Sequence, residues 1–238
     1  MIATIEGDTV LHRPTAGWVG GYVAALVLAS LGLFLAALVL ALLISGNWGP
    51  GLILLVLPVW MLGLTGSVWR DCQAKRLWRV KIAPGELVLD LPAGRSLMAH
   101  EARVRLALDV KDVAAVETRL EAFRSFGMAN MQRNYGLRLT NGDLIVLGED
   151  RALATGMAEE TMGQMVDTIV QKTGLPLVDL GMVEGRGGLL GLMFTSVPGW
   201  ETGSVSLERV HAMWQKAAMT GGLAGVVVIA GLILSVMF

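Results

Sequence analysis

The chain has 238 residues and a net charge of −1, from 19 Lys and Arg against 20 Asp and Glu, so no basic field exists to hold nucleic acid, and no nucleic-acid partner is expected. At 54% hydrophobic and 16% charged, with a mean hydropathy of +0.60, it carries well under the roughly one-quarter charged share of a soluble domain. Its single cysteine, Cys72, excludes an intrachain disulfide framework and a cysteine-rich zinc site.

Residues 1–14 include acids and, among the basic residues, only Arg13 before a long apolar run. A cleavable signal has a basic start and an apolar core of about 7–15 residues. The run here is about twice that length, so it reads as a retained helix preceded by a cytoplasmic tail. Residues 15–44, 51–69 and 217–238 contain no Asp, Glu, Lys or Arg. Each is long enough, near 20 residues at helical rise, to cross a hydrocarbon core of about 30 Å. The first two form a transmembrane hairpin over 15–69, closed by the uncharged link 45–50, and the third is a C-terminal transmembrane helix. Small residues Gly17, Gly21, Ala25 and Ala29 recur every fourth position on the first helix, and Gly221 and Gly225 do so on the third. Such stripes let backbones approach closely. They serve either to pack the three helices together or to bind another membrane protein. Pro58 removes a backbone donor within the second span and is expected to kink it.

After the second span come Arg70, Lys75, Arg76, Arg79 and Lys81 against the single acid Asp71. The positive-inside rule places this flank in the cytoplasm. The expected location is therefore the bacterial cytoplasmic (inner) membrane, multi-pass, with the N-terminus and central domain cytoplasmic and the C-terminus periplasmic. Trp18, Trp48, Trp69, Trp78 and Trp214 lie near span ends, where an amphipathic ring favours the headgroup layer. The five basic residues are candidate lipid-headgroup contacts, each worth about 1 kcal/mol beside an anionic leaflet. No ionisable residue lies inside a span, so an ion or proton path has no support.

The central segment, 70–180, changes to period two. Alternation over 77–82 and 86–91 around Pro84-Gly85 predicts a hairpin, and 104–108 a third strand. Residues 113–120 read as either strand or helix. Asn141-Gly142 between alternating runs predicts a two-residue type I′ hairpin. A helix follows over about 158–173, with Met162, Met165, Val166, Ile169 and Val170 on one face and Gly174 and Pro176 at its end. The fold expected is α+β: an antiparallel sheet or partial barrel with one helix covering its open face. Residues 181–216 are expected to form an interfacial segment and a juxtamembrane helix.

The sequence YGLRLTNGDLIVLGEDR at 135–151, the helix ending Thr173-Gly174-Leu175-Pro176, and the preceding two-helix hairpin together resemble bacterial membrane proteins carrying a pleckstrin-homology-like domain. The resemblance covers about 53–179 and rests on element order. It implies a membrane-tethered β-domain used for binding, assembly or regulation, with no reaction attached, and no residue set carries over from it.

No catalytic constellation emerges. Gly185, Gly187, Gly188 and Gly191 lack the Lys and Ser/Thr of a phosphate loop. His12, His100 and His211 have no helical partner spacing for a metal. Asp109, Asp112, Glu117, Glu149 and Asp150 read as turn and surface acids rather than an acid–base pair. Cys72, beside basic residues, is an acylation candidate. No cofactor or metal is expected. Residues 188–200 are apolar but too short to span, which suits either the membrane interface or a loop on the protein. Phe123, Phe126, Met128 and Met131 beside Arg124 and Arg133 either complete the sheet's core or dock a partner subunit. The reading is a non-enzymatic accessory, assembly or scaffold subunit that contacts membrane lipids and binds another integral membrane protein complex or a second copy of itself. The alternatives are a lipid- or signal-sensing membrane regulator and a membrane enzyme whose site is not recognised.

Overall fold

The computed structural model describes residues 2–5, 8–93, 102–125, 128–151, 161–186 and 198–237. The chain divides into two compact units, one formed by 1–95 with 99–107 and the other by 108–238 with 96–98.

In the first unit, β1 (Ile2–Ile5) and β2 (Asp8–His12) precede α1 (Thr15–Ile44). The chain turns and returns through α2 (Trp48–Leu54) and α3 (Val56–Leu77). Thr15–Ile44 and Trp48–Leu77 are two helical stretches long and apolar enough to cross a membrane. The second is interrupted at Leu55, just where the ring of Pro58 would crowd the carbonyl four residues back and where its missing N–H breaks the ladder. Leu55 itself keeps helical dihedrals and donates to the Gly51 carbonyl, so the interruption ahead of Pro58 is local. Ala25, Gly32 and Val39 are buried at heptad spacing on α1, and Gly32 faces Met61 and Leu62 of α3.

β3 (Arg79–Ala83) and β4 (Glu86–Leu91) form the expected hairpin, with Gly85 at φ 78° in its turn. With β5 (Val104–Asp109) they complete a five-stranded sheet in the order β1-β2-β3-β4-β5. The N-terminal tail is therefore two strands of this sheet. His12 pairs with Arg79 and Leu11 with Val80, so α1 and α3 both open onto the same sheet. Leu11, Val80, Ile82, Leu87, Leu89 and Leu91 form its buried face.

The second unit holds a four-stranded sheet, order β8-β7-β6-β9. A 3-10 turn, Val110–Asp112, leads into β6 (Val113–Ser125), which settles the ambiguous 113–120 as strand. β7 (Met128–Leu139) and β8 (Leu144–Asp150) follow. Their link is a four-residue loop, 140–143. The Gly142 N–H donates to the Leu139 carbonyl at 3.0 Å, Gly142 takes φ 92°, and the Asn141 side chain accepts from Asp143 N at 3.0 Å. The Asn side-chain bond and one glycine in the left-handed region close the hairpin without the two-residue turn expected from Asn-Gly. α4 (Thr161–Thr173) buries Met162, Met165, Val166 and Ile169, and Gly174 at φ 72° stops it; 158–160 lie outside the described residues. β9 (Leu177–Arg186) runs past the expected domain end at 180 into the expected interfacial segment and pairs in parallel with β6. The strands of 2–12 and 79–186 thus form two sheets, one antiparallel through β1–β4 and one mixed, in an α+β arrangement. α5 (Leu207–Met237) runs through the juxtamembrane and terminal stretches as one helix, and its Val210 and Met213 pack on Ala122 of β6.

Candidate functional site

Alternate residues of a strand share a face, and on one face of β6 these are Glu117, Arg119, Glu121 and Phe123. In register they meet Gly136, Asn134, Gln132 and Asn130 of β7. A charged strip is thereby built into the sheet of the second unit, and Arg119 and Glu121 are both 0% exposed. Arg119 Nη2 donates to Glu121 Oε1, and Gln132 Nε2 donates to Glu121 Oε2 at 3.0 Å.

A short strap, 198–202, seals this strip ahead of α5. Arg119 donates to the carbonyls of Gly199 (2.6 Å) and Pro198 (3.2 Å), and its guanidinium lies 4.8 Å from the centre of the Trp200 ring. The Trp200 indole N–H donates to Glu117 Oε2 at 2.6 Å, while Arg138 grips both Glu117 oxygens at 2.9 Å and reaches Glu201 at 2.6 Å. Gly136 leaves room beneath the indole: a Cβ there would come within 2.9 Å of the Leu144 terminal methyl and 3.4 Å of Trp200. Burial works to raise the Glu117 pKa, but the Arg138 and Trp200 hydrogen bonds outweigh it, and the carboxyl sits below its ordinary range. Glu117, read from the sequence as a surface acid, is therefore a buried anchor. Trp200, expected in an apolar interfacial segment, is buried over charged residues, and 188–197 lie outside the described residues.

On the opposite face, Asp150 stands at the start of α4. Its carboxylate accepts from Met162 N (2.8 Å) and Gly163 N (2.9 Å), and Tyr135 donates its hydroxyl to it at 3.2 Å. A carboxylate at a helix N-terminus satisfies orphan donors and complements the dipole. Burial, then the Asp150 charge, pushes the Tyr135 pKa up, so this hydroxyl remains a donor. Asp150 too is a capping residue rather than a surface acid.

Of the residues expected to dock a partner, Phe123 is 4% exposed, and its ring lies against Gly185, where a Cβ would be 2.5 Å from Phe123 Cε1. It belongs to the core. Met131 is half-buried, Met128 begins β7, and Phe126 lies outside the described residues. The small-residue stripe of α1 divides. Gly21 faces Cys72 so closely that a Cβ would lie 2.3 Å from its Sγ, whereas Gly17 has nothing within 4 Å. Cys72 is thereby buried, and the accessible thiol that acylation needs is not present. Gly221 is half-buried on α5, and Gly225 lies further along the same helix.

The first unit carries a second cluster where helices meet sheet. Tyr22 of α1 contacts Trp69 of α3 edge-on at 4.7 Å and Trp18 at 6.0 Å, and Arg13 lies 5.9 Å from the Trp78 ring centre. The expected headgroup residues separate here. Lys75 is tied to Asp71 at 3.0 Å and Lys81 to Asp8 at 2.7 Å, while Arg70, Arg76 and Arg79 are exposed. Asp90, the register partner of Arg79, accepts from Arg103 at 2.5 and 2.6 Å and from Arg105 at 3.4 Å. The Arg103 hydrogen bonds hold its carboxyl below the ordinary aspartate range. Burial, helped by Arg79, lowers the pKa of His12 beside them.

Comparison with protein-family models, curated proteins and solved structures finds no match to this chain. Among the described residues no group of three or more His, Cys, Asp or Glu is placed to hold a metal ion. The charged strip engages its own strap, and what it accomplishes chemically is mechanical: it fastens the segment leading into α5 onto the sheet.

Proposed function

We propose that this chain is a non-enzymatic integral membrane accessory or assembly subunit that binds another membrane protein complex. In this reading α1 and the α2–α3 stretch form a hairpin in a bacterial cytoplasmic membrane, residues 217–237 of α5 add a third span, and the β-units lie in the cytoplasm as a membrane-tethered binding module of pleckstrin-homology-like character. The observation that carries it is an open apolar edge. Among the described residues β9 is an outer strand whose Leu177 and Val178 are 46% and 40% exposed, and the segment after the strap meets it further along, where Val205 N donates to Met182 O at 2.6 Å. Unpaired strand edges invite another chain. The uncovered Gly17 beside exposed Val19 and Val23 on α1 offers a matching approach within the bilayer.

The test is affinity purification of the tagged native protein in mild detergent, followed by mass spectrometry. One stoichiometric membrane complex is the expected outcome, and Val178→Lys, placing a charge on the open edge, should release it while leaving the protein monodisperse. Recovery of the protein alone would refute the proposal. A lipid- or signal-sensing regulator is the second reading, favoured by the exposed Arg70, Arg76 and Arg79. It requires that changing them to Gln weaken association with anionic vesicles in a salt-dependent way.

A further inference from the structure

The solvent face of the five-stranded sheet is polarised along its strands. In the row nearest the helices stand His12, Arg79 and Asp90, joined by Arg103 through Asp90. Four residues further out on the same strands stand Asp8 and Glu86, about 13 Å away at strand rise. Asp8 and Glu86 thus mark the far end, while Arg79, Arg103 and Arg105 gather around Asp90 at the end where α1 begins and α3 finishes. Arg70 and Arg76 of α3 continue the arginine side, and the Trp18, Tyr22 and Trp69 cluster lies just beyond them toward the apolar length of the helices. Aromatic rings followed by arginines is the sequence of layers a bilayer presents, acyl boundary first and phosphate second.

We infer that Arg70, Arg76, Arg79, Arg103 and Arg105 form a collar that binds the phosphodiester headgroups of anionic phospholipids. Arg103 and Arg105, distant in sequence from the basic flank of the helix, are recruited to it by the fold. Lys75 and Lys81 are paired with Asp71 and Asp8 and lack the guanidinium fork. Guanidinium forks suit phosphate oxygens bidentately, and Asp90 acts as an internal competitor that occupies Arg103 in the absence of lipid. The inference rests on the membrane reading of α1 to α3 and is independent of any protein partner.

Full-length protein in detergent micelles doped with equal mole fractions of phosphatidylglycerol and phosphatidylcholine, read by native mass spectrometry, tests it. The wild type should retain phosphatidylglycerol in preference. At roughly fivefold per well-placed charge, Arg103→Gln with Arg105→Gln should lower that preference at least fivefold. Arg105→Gln alone, whose side chain is 68% exposed and makes little of the fold, should lower it in the same direction. Asp90→Asn, which releases both arginines, should raise it, a sign that loss of structure would not produce. An unchanged lipid ratio in the double variant, a lowered one in Asp90→Asn, or displacement of the lipid by millimolar inorganic phosphate would overturn the inference. Recovery of the protein in the aqueous phase on detergent partitioning would instead defeat the membrane reading itself.

Discussion

Replacing Arg119 with Met tests the account of the charged strip most directly. The substitution keeps an unbranched side chain but removes two carbonyl hydrogen bonds, the contact with the Trp200 ring and the only cation beside Glu121 among the described residues. Glu121 is fully buried and would be left with Gln132 alone. Stranding one partner of a buried pair costs about 3–5 kcal/mol, which for a chain of this length is on the order of 10 °C in Tm. Removing both charges together is expected to be far milder, because well-packed apolar pairs replace buried ion pairs at little cost. Thermal and urea unfolding of the full-length protein in mild detergent should therefore show Arg119→Met strongly destabilised. The double variant Arg119→Met, Glu121→Leu should recover about 2–3 kcal/mol of the loss, a coupling typical of contacting residues. A single-variant cost below about 1 kcal/mol, or strictly additive effects, would refute the claim that the pair is desolvated and fastens the strap.

Gly21→Ala should cost about 1–3 kcal/mol through overpacking on Cys72, with most of it restored by adding Cys72→Ala, whereas Gly17→Ala should stay within about 0.5 kcal/mol; detergent unfolding of the three variants decides this. Because the folded pKa of Glu117 is depressed, its stabilisation is complete above the ordinary glutamate value and is lost as pH falls through the lower folded value. Acid unfolding profiles should thus show a shallower acid limb in Glu117→Gln than in the wild type, and identical limbs would contradict the assignment. Asp150→Ala should lose about 1–2 kcal/mol by uncapping α4, with hydrogen exchange rising first at Met162 and Gly163. Gly142→Ala should cost about 1 kcal/mol for its positive φ, measurable in the same unfolding series.

Local signals were legible where the chain had one dominant period. The uncharged runs at 15–44 and 51–69, the 79–91 hairpin around Pro84-Gly85 and the apolar stripe of α4 all appear where their spacing places them. The strands of 2–12 were missed because four- and five-residue strands give little alternation and their partner, β3, lies beyond the whole helical hairpin. β9 was missed because Gly181 and Gly185 interrupt its pattern. The strip itself left a trace, since Glu117, Arg119 and Glu121 alternate on a strand. Charged alternation ordinarily marks a solvated face, however, and only the strap from 80 residues later makes it a buried one. Phe123 shows the converse: an aromatic that sequence allows at a docking surface is core because Gly185 on a parallel neighbour makes room for it.

The sequence by itself determined which segments are apolar enough for a bilayer, which alternate as strands and where helices stop, because these depend on residues a few positions apart. Tertiary structure alone decided that the N-terminal tail joins β3, that Arg103 and Arg105 stand with Arg79, and that Trp200 closes over Arg119. Each of these depends on register and burial between residues far apart in the chain, and burial is what turns an ordinary charge into an anchor.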